Sequence, residues 1–595
     1  MRFLESVPRF VMFTGKGGVG KTSLACATAV YLAERGKRTL LVSTDPASNV
    51  AQVFGTVVGN RIVPISAVPG LDAMEIDPEQ AAEEYRERII GPVRSFLPAK
   101  ELAEITEQLS GSCTTEVASF DEFTALLADP EETSAYDHVI FDTAPTGHTI
   151  RLLQLPGDWT KFLDDGKGDA SCLGPLSGLA KQRSTYQRAV AALGDPARTE
   201  LVLVARPQPS SLAEVARTAD ELGKIDIHAT NLVINAVLPE WAATDAVSRA
   251  IQAREQDAIA DLPAAVAGLP RDVVPLKAVN AVGVDALRAL LGETDAPSEE
   301  TAAARGAAPN DGATTEPSTP ASAAWPGLAS LATELSRLDH GLVMCMGKGG
   351  VGKTTVATAL AISLASRGKD VHLTSTDPAG RFDQALAREV PRLTVSRIDP
   401  VKAIADYRDH VMATKGASLD ADGKAQLAED LQSPCTEEIA VFEQFSQVVA
   451  ESGRRIVIMD TAPTGHTLLL MDATGSYHRE VVRHLAEGET AITPLMRLKD
   501  PDQTKIIIVT LPETTPVMEA RHLVADLARA DIHPWAWVVN QSLAVSRSGS
   551  PLLAKRAAAE QPHLAEVAAQ STRHAVIGLH AKEPRDSDGL RALAD

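Results

Sequence analysis

Short apolar runs alternate with longer stretches of helical length and composition along the whole chain. In its first part the runs fall at residues 10–13, 39–42, 138–141, 201–204 and 232–234. Continuous apolar runs of this length are typical of parallel strands that are buried on both faces. Residues 24–32, between the first two runs, have the apolar composition of a buried helix. Strands that alternate with helices predict a doubly wound α/β domain.

The second part of the chain repeats the first. Residues 15–22 recur at 347–354, 43–47 at 375–379, 142–149 at 460–467 and, with one substitution, 113–116 at 435–438. Asn235, which ends a predicted strand, recurs as Asn540. The offset falls from 332 (347 − 15) to 305 (540 − 235), so the order is kept and the first copy carries the extra residues. The pattern predicts a tandem duplication.

A segment of different composition separates the copies. Residues 293–326 are rich in Ala, Pro, Thr, Ser, Glu and Gly and contain almost no large apolar side chain. Such a segment cannot bury a core, which predicts a flexible linker. We therefore place the first domain at residues 1–292, the linker at 293–328 and the second domain at 329–595.

The overall charge narrows the choice of partners. The sequence has 57 basic and 78 acidic residues, which gives a formal charge of −21. This acidity argues against nucleic acid as the main partner, because phosphate binding requires a basic surface. No run of about 18 apolar residues predicts a transmembrane helix, and the N-terminus lacks a signal-peptide pattern, so we expect a cytoplasmic protein.

The first repeated segment carries the chemistry of nucleotide binding. Gly-x-x-x-x-Gly-Lys-Thr between a strand and a helix is a P-loop, whose backbone N–H groups and helix N-terminus surround phosphate oxygens. Lys21 and Lys353 are predicted to bind the β- and γ-phosphates of ATP, and Thr22 and Thr354 to ligate Mg²⁺. The other residues predicted to line the two ATP sites are Gly15, Gly17, Gly18, Gly20, Ser23, Asn235, Gly347, Gly349, Gly350, Gly352, Thr355 and Asn540.

Residues at two further strand ends have open interpretations. Asn235 and Asn540 either read the adenine edge or only shape a turn. Arg206 and Leu511 end corresponding strands, at a place where side chains would flank the base.

Two acidic residues in each copy follow apolar strands. Asp45 and Asp377 lie in Ser-Thr-Asp-Pro-Ala segments, where a carboxylate orients or deprotonates the attacking water or holds Mg²⁺. Asp142 and Asp460 have the Walker B arrangement, which predicts a Mg²⁺ site. The alternative for each is an N-cap of the following helix, although recurrence in both copies disfavours capping alone.

A second lysine lies within each P-loop, at Lys16 and Lys348. This resembles the deviant P-loop class, which includes the nitrogenase iron protein, chromosome-partitioning ATPases and arsenite-pump ATPases. In that class the lysine reaches across a dimer interface to the partner's phosphates. The resemblance implies that the two halves of this chain supply that dimer as an intramolecular pseudo-dimer. The resemblance implies that each lysine is catalytic at the nucleotide of the opposite half, whereas the alternative is a solvated surface lysine.

The five cysteines do not form the even set of a disulfide framework. Cys26 and Cys345 lie in the predicted helix and strand beside the P-loops, and we expect both in the core. Cys113 and Cys435 are equivalent in the two copies, while Cys172 falls in a stretch that is longer in the first copy. Three thiols that converge would suit a soft, three-coordinate ion such as trivalent arsenic or antimony, whereas zinc would require a fourth ligand. Separate buried thiols are the alternative.

The paired deviant P-loops, both Asp-Thr-Ala-Pro-Thr-Gly-His-Thr segments and the cysteine set resemble the ArsA family of arsenite- and antimonite-transporting ATPases. The resemblance extends over nearly the whole chain outside the linker. It implies an ATPase subunit of an efflux pump, with two Mg-ATP sites between the halves and As(III) or Sb(III) as both activator and transported species. The metalloid ligands of the family map onto Cys113, Cys172, Cys435, His148, Ser433 and His466.

The same resemblance implies partners. The family works with a membrane permease, ArsB, and receives metalloid from a chaperone, ArsD. Binding to such a partner would place this chain peripherally at the inner face of the plasma membrane. The main alternative is a targeting chaperone for tail-anchored membrane proteins, which uses a Met-rich groove and a Cys-x-x-Cys zinc contact. Methionine is sparse here, at 10 residues, and Cys-x-x-Cys is absent. A partitioning ATPase would need a basic DNA surface or an amphipathic membrane helix, and the sequence shows neither clearly.

Overall fold

The computed structural model describes two α/β halves, each built on its own sheet. The described residues are 1–45, 50–91, 112–128, 133–143, 177–292, 325–377, 386–414, 416–420, 434–461, 493–546, 548–580 and 586–595, with a few isolated positions between them.

The first half contains the strands β1 (Phe10–Thr14), β2 (Thr39–Ser43), β3 (Val63–Pro64), β4 (Leu71–Glu75), β5 (His138–Asp142), β6 (Thr199–Ala205), β7 (Asn231–Val237) and β8 (Arg271–Pro275). Its helices are α1 (Lys21–Ala33), α2 (Val50–Phe54), α3 (Pro78–Ile90), α4 (Ser112–Ala128), α5 (Ser177–Gly194), α6 (Pro209–Gly223), α7 (Ala246–Ala260), α8 (Ala264–Ala267) and α9 (Val284–Leu291). The sheet order is β3-β4-β2-β5-β1-β6-β7-β8, and every pair is parallel except β3 with β4.

The second half contains the strands β9 (Gly341–Met346), β10 (Val371–Ser375), β11 (Leu393–Val395), β12 (Ile456–Asp460), β13 (Thr504–Thr510), β14 (Ala536–Ser542) and β15 (His574–Gly578). Its helices are α10 (Leu328–Leu335), α11 (Lys353–Ser366), α12 (Leu386–Glu389), α13 (Pro400–Thr414), α14 (Pro434–Glu451), α15 (Pro494–Lys499), α16 (Thr514–Arg529), α17 (Leu543–Ser546), α18 (Pro551–Gln570) and α19 (Ser587–Arg591). The sheet order is β11-β10-β12-β9-β13-β14-β15, and all pairs are parallel.

The two sheets have the same topology. When β4 is matched to β11 and β1 to β9, the strand orders coincide, and β3 is an addition at the edge of the first sheet. Central strands such as β1 and β2 are buried along their whole length, as their continuous apolar runs predict. The predicted fold class, two tandem doubly wound P-loop domains, is therefore confirmed.

Each P-loop helix is buried nearly all round. In α1 ten of thirteen residues are buried, because the sheet covers one side and α9 packs on another. Cys26 on this helix and Cys345 on β9 are both free thiols with no exposed surface, which confirms that they belong to the core. Among the described helices, none combines the length and apolarity needed to cross a membrane.

The last residues of the predicted linker belong to the fold of the second half. The Trp325 ring packs edge-on against His574 with 6.0 Å between ring centres, and Val576 N donates to Pro326 O at 2.8 Å. Residues 293–324 of the linker lie outside the described residues.

The halves meet in an apolar cluster beside a polar contact. Leu238, Ala242 and Ile251 of the first half pack against Leu543, Leu552 and Leu553 of the second. Next to this cluster, Asp245 Oδ2 accepts hydrogen bonds from Ser548 Oγ at 2.7 Å and from Ser550 N at 3.2 Å. Asp245 and Ser550 are equivalent N-cap residues of α7 and α18, at the offset of 305. Direct contact between equivalent residues places them at the pseudo-twofold axis that relates the halves.

Candidate functional site

Both P-loops adopt the same backbone path between strand and helix. Gly20 and Gly352 precede α1 and α11 with φ of 95° and 93°, a left-handed conformation that favours glycine. A side chain at either position would collide with the amide of Asn235 or Asn540. The loop sequence is therefore required by local geometry as well as by phosphate binding.

The lysines that begin the P-loop helices are buried and point back along their own loops. Lys21 Nζ donates to Lys16 O at 3.2 Å, and Lys353 Nζ donates to Lys348 O at 3.0 Å. Both residues are only 6 % exposed, and burial lowers the pKa of each ammonium group, opposed chiefly by nearby aspartates. These ammonium groups lie inside the loop, where they can meet a phosphate.

An aspartate and a threonine pair in each half at the position predicted for Mg²⁺. Thr22 Oγ1 donates to Asp142 Oδ2 at 2.6 Å, and Thr354 Oγ1 donates to Asp460 Oδ2 at 2.7 Å. The other carboxylate oxygen, Oδ1 of each aspartate, is buried and has no hydrogen-bond partner among the described residues. Burial raises the pKa of both carboxyl groups to about 6. A hydroxyl and an orphaned carboxylate oxygen side by side are a donor set that fits Mg²⁺.

Asp45 and Asp377 lie beside these pairs. The backbone N–H of each donates a hydrogen bond to the hydroxyl of the serine that ends the preceding strand. Asp45 N lies 3.4 Å from Ser43 Oγ, and Asp377 N lies 3.1 Å from Ser375 Oγ. The Asp45 carboxylate acts electrostatically on Lys21 of its own half and on Lys348 of the other. Asp45 is therefore close to both predicted phosphate-binding lysines of the first site.

The two P-loops touch each other at the interface. A Cβ added to Gly17 would lie 2.8 Å from Gly349 Cα and 3.1 Å from its carbonyl carbon and oxygen. Gly17 and Gly349 are equivalent residues (17 + 332 = 349), so this contact also lies at the pseudo-twofold axis. Only glycines allow the backbones of the two loops to approach this closely.

Lys348 lies at the interface and faces residues of the first half. It lines a cavity with Lys21, and its Nζ forms an ion pair with Glu519 of α16. Burial opposes its charge, but the carboxylates of Glu519 and of Asp45 from the first half outweigh this effect and raise the pKa of Lys348. In the converse direction, the charge of Lys16 acts on Lys353 of the second half.

The cavity at the first P-loop is lined by both halves. The first half contributes P-loop and helix residues, Arg206 after β6, the end of β7 and the segment after β8. The second half contributes P-loop residues, residues of α16 and α18, and Leu511 and Glu513 before α16. The predicted site residues that line this cavity are Gly18, Gly20, Lys21, Thr22, Ser23, Asp45, Asn235, Lys348, Gly349, Arg206 and Leu511.

Asn235 and Asn540 have a structural contact that the sequence did not reveal. The amide nitrogen of Asn235 donates to Val19 O at 2.8 Å, and that of Asn540 donates to Val351 O at 3.0 Å. Each is followed by a non-glycine residue with positive φ, Ala236 at 61° and Gln541 at 59°. This bulge turns the asparagine onto the P-loop, so each asparagine supports the loop, and adenine recognition stays a prediction.

The predicted metalloid ligands lie mostly outside the described residues. His148, Cys172, Ser433 and His466 fall there, whereas Cys113 and Cys435 are the second residues of α4 and α14, with only their backbone described. These two helices begin at equivalent places (112 + 322 = 434), in agreement with the duplication. In the part that is described, no group of three or more His, Cys, Asp or Glu side chains is arranged to hold a metal ion.

Sequence reasoning missed three charged residues of the interface. Glu519, Glu513 and Arg556 all belong to the second half and approach the first nucleotide site. Self-comparison finds residues that recur, and Glu513 and Arg556 correspond to Gln208 and Ile251. A glutamate does recur, at positions 214 and 519, so self-comparison of the two copies could have found Glu519 but not the other two.

Comparison with known proteins gives consistent matches. The family model described as anion-transporting ATPase matches residues 8–293, 340–498 and 470–593. The arsenical pump-driving ATPase of Acidiphilium multivorum is 54 % identical over the full length of both chains, and one from Escherichia coli is also 54 % identical over both full lengths. The ATPase GET3 of Kluyveromyces lactis is 33 % identical over 39 % of this chain and 73 % of its own. The chain therefore belongs to the anion-transporting ATPase family, ArsA.

Proposed function

We propose that this chain is the ATPase subunit of an efflux pump for trivalent arsenic and antimony, and that the metalloid stimulates ATP hydrolysis at two sites between its halves. The main support is the interface at the first P-loop, where Lys348 of the second half lines the same cavity as Lys21 and Thr22. A site made by both halves is complete only when they are closed, so hydrolysis can be controlled by whatever closes them.

The described residues divide the work at each site. The P-loop N–H groups with Lys21 or Lys353 bind the phosphates, and Lys348 or Lys16 adds positive charge from the opposite half. Asp45 and Asp377 orient the attacking water. Thr22 with Asp142, and Thr354 with Asp460, would hold Mg²⁺, which supplies neutralisation of charge on the β- and γ-phosphates when bound.

The metalloid would bind through Cys113, Cys172 and Cys435, with His148, Ser433 and His466 as further ligands. Because Cys113 and Cys435 come from different halves, a shared ion would favour the closed arrangement. ATP favours the same arrangement, so each ligand should raise the affinity for the other. We further propose a membrane permease as a partner, since the relatives are named as pump-driving ATPases. The resemblance to the family adds a metallochaperone as a second proposed partner.

The test is the ATPase rate of the full chain with and without micromolar antimonite. We expect antimonite to raise the rate in the wild-type chain and in Cys26→Ala, which removes a core thiol. It should leave the rate unchanged in Cys113→Ala, Cys172→Ala and Cys435→Ala. A wild-type rate that ignores antimonite contradicts the proposal, and stimulation that survives all three substitutions contradicts the thiol site.

The targeting-chaperone alternative has less support. Its relative in Kluyveromyces lactis covers 39 % of this chain, against 100 % for the pump-driving ATPases, and no described feature favours it.

A further inference from the structure

An arginine of the second half crosses the interface to the first nucleotide site. Arg556 on α18 donates from Nη1 to Lys277 O at 2.8 Å, and Lys277 follows β8 of the first half. Its Nη2 donates to Glu513 Oε1 at 3.0 Å. The side chain is only 14 % exposed, so two bonds and burial fix the guanidinium in place.

The position of Arg556 assigns it to one end of the cavity. In doubly wound domains the ligand lies beyond the carboxyl ends of the strands. The P-loop after β1 takes the phosphates, which leaves the wall formed by the end of β7 and the segment after β8 for the ribose and base. Arg556 is bonded to this wall, and it lines the cavity together with Asn235, Arg206 and Glu513.

Arg206 of the first half adds a further charge near the pair of Arg556 and Glu513. Burial lowers the pKa of Arg206, opposed chiefly by Glu513 of the other half, while Arg556 adds to the lowering. The Glu513 carboxylate therefore pairs with Arg556 and acts electrostatically on Arg206 of the first half, which lines the same cavity. A planar guanidinium can stack on a purine ring and donate to ribose or base oxygens and nitrogens.

In the described part of the chain, the second nucleotide site does not repeat the pair of Arg556 and Glu513. At the offset of 305, Arg206 corresponds to Leu511, Glu513 to Gln208 and Arg556 to Ile251, and none of these is charged. The first half does send Arg254 to the carbonyl oxygen of His580, but at 3.3 Å and from a position one helical turn further along α7. The two sites therefore differ at the end that faces the base.

We propose that Arg556 is a specificity-determining residue of the first nucleotide site, where the second half binds the base or ribose of the nucleotide whose phosphates the first half holds. Glu513 and Lys277 O orient the guanidinium. This inference rests on the proposed binding of ATP by the first P-loop. The nucleotide at the first site then contacts both halves, whether or not metalloid is bound.

The test separates the two sites by disabling one P-loop at a time. Lys353→Gln leaves the first site for measurement, and Lys21→Gln leaves the second. In each background, ATP affinity is measured by calorimetry with Mg²⁺ and without metalloid. Arg556→Ala should weaken binding at the first site by about 10-fold, the loss expected for a charge-assisted contact, and at the second by less than about twofold.

Two further variants keep the result interpretable. Arg556→Lys keeps the charge without the planar fork and should recover affinity only in part. Arg521→Ala, which removes an exposed arginine paired with Glu566 on the same half, should leave both affinities unchanged. If Arg556→Ala alters thermal unfolding, Arg556→Lys supplies the measurement.

The outcomes that overturn the inference are distinct. Equal losses at both sites would assign Arg556 to general packing, and no loss at the first site would remove it from nucleotide binding. If the Lys353→Gln chain with Arg556 intact fails to bind ATP, the proposed first ATP site falls as well. If the Lys353→Gln chain binds ATP and Arg556→Ala does not weaken this binding, only the present inference is refuted.

Discussion

The contact between the two P-loops can be tested with one added methyl group at Gly17. The backbone of Gly17 is not left-handed, unlike that of Gly18 with φ of 79°, so alanine fits locally. The new Cβ would point at the other half, 2.8 Å from Gly349 Cα. Gly17→Ala therefore perturbs the approach of the halves and keeps every N–H group of the loop.

The size of the effect follows from this distance. Carbon atoms in contact normally lie about 3.5–4.0 Å apart, so the loops would have to separate by about 1 Å. Overpacking of this kind costs about 1–3 kcal/mol, which lowers the population of the closed arrangement by roughly 5- to 150-fold. We expect kcat for ATP to fall by about the same factor, because Lys348 approaches the first site only in that arrangement.

The assay is steady-state ATP hydrolysis together with ATP binding by calorimetry. ATP binding should weaken by less than kcat, because each P-loop still holds its own phosphates and only the contacts from the other half are perturbed. Gly59→Ala is the matched control, since Gly59 also lacks a left-handed φ and no described atom lies within 4 Å of its added Cβ. A kcat within about twofold of wild type would refute the claim that hydrolysis requires this loop contact.

Three other substitutions test separate features. Lys348→Ala, in a chain with Lys353→Gln, should lower single-turnover hydrolysis at the first site by about 100-fold, whereas Lys16→Ala should not; equal losses would contradict the crossed arrangement. Burial raises the pKa of Glu200 to about 7 from 4.5, so the folded state favours the neutral form and loses stability as pH rises through this window. Glu200→Gln should therefore raise Tm at pH 8 and change it little at pH 4, and an unchanged Tm at pH 8 would count against this reasoning. Hydrogen bonds from both halves outweigh burial and hold the pKa of Asp245 well below its usual range, so it stabilises above about pH 4 and less as pH falls. Asp245→Ala should lower Tm at pH 7, with a difference that shrinks towards pH 2; a constant difference would point to packing alone.

The sequence predicts the central strands and P-loops because their requirements are local. A strand buried on both faces needs a continuous apolar run, and the P-loop needs glycines where φ is positive. Strands at or next to the sheet edges were missed for the same reason. β4 and β8 contain polar residues at half-buried or exposed positions, Asp72 and Arg271 respectively, so their apolar runs are interrupted.

The cross-half part of the site could be predicted only where a residue type recurs. Lys16 and Lys348 were found because both copies have them. Arg556 meets Lys277 O across 279 residues of sequence, at a distance set by the packing of α18 on the first half. No local pattern specifies such a contact, since a surface arginine on a helix looks the same whether or not another domain covers it.

Fusion of the halves explains why the interface can hold such contacts at all. In a symmetric dimer each residue on the twofold axis meets its own copy. An aspartate at both N-caps, at 245 and at 550, would bring two carboxylates together, which is unfavourable without a shared proton or cation. Because position 550 is a serine, the single carboxylate of Asp245 accepts from Ser550 N and Ser548 Oγ and also caps α7. Likewise, Arg556 has Ile251 at the equivalent position, and the arginine that the first half sends towards the second site, Arg254, lies one helical turn further along α7. Duplication within one chain removes the constraint of symmetry, and the described interface differs between the two sites at the positions that this constraint would have kept identical.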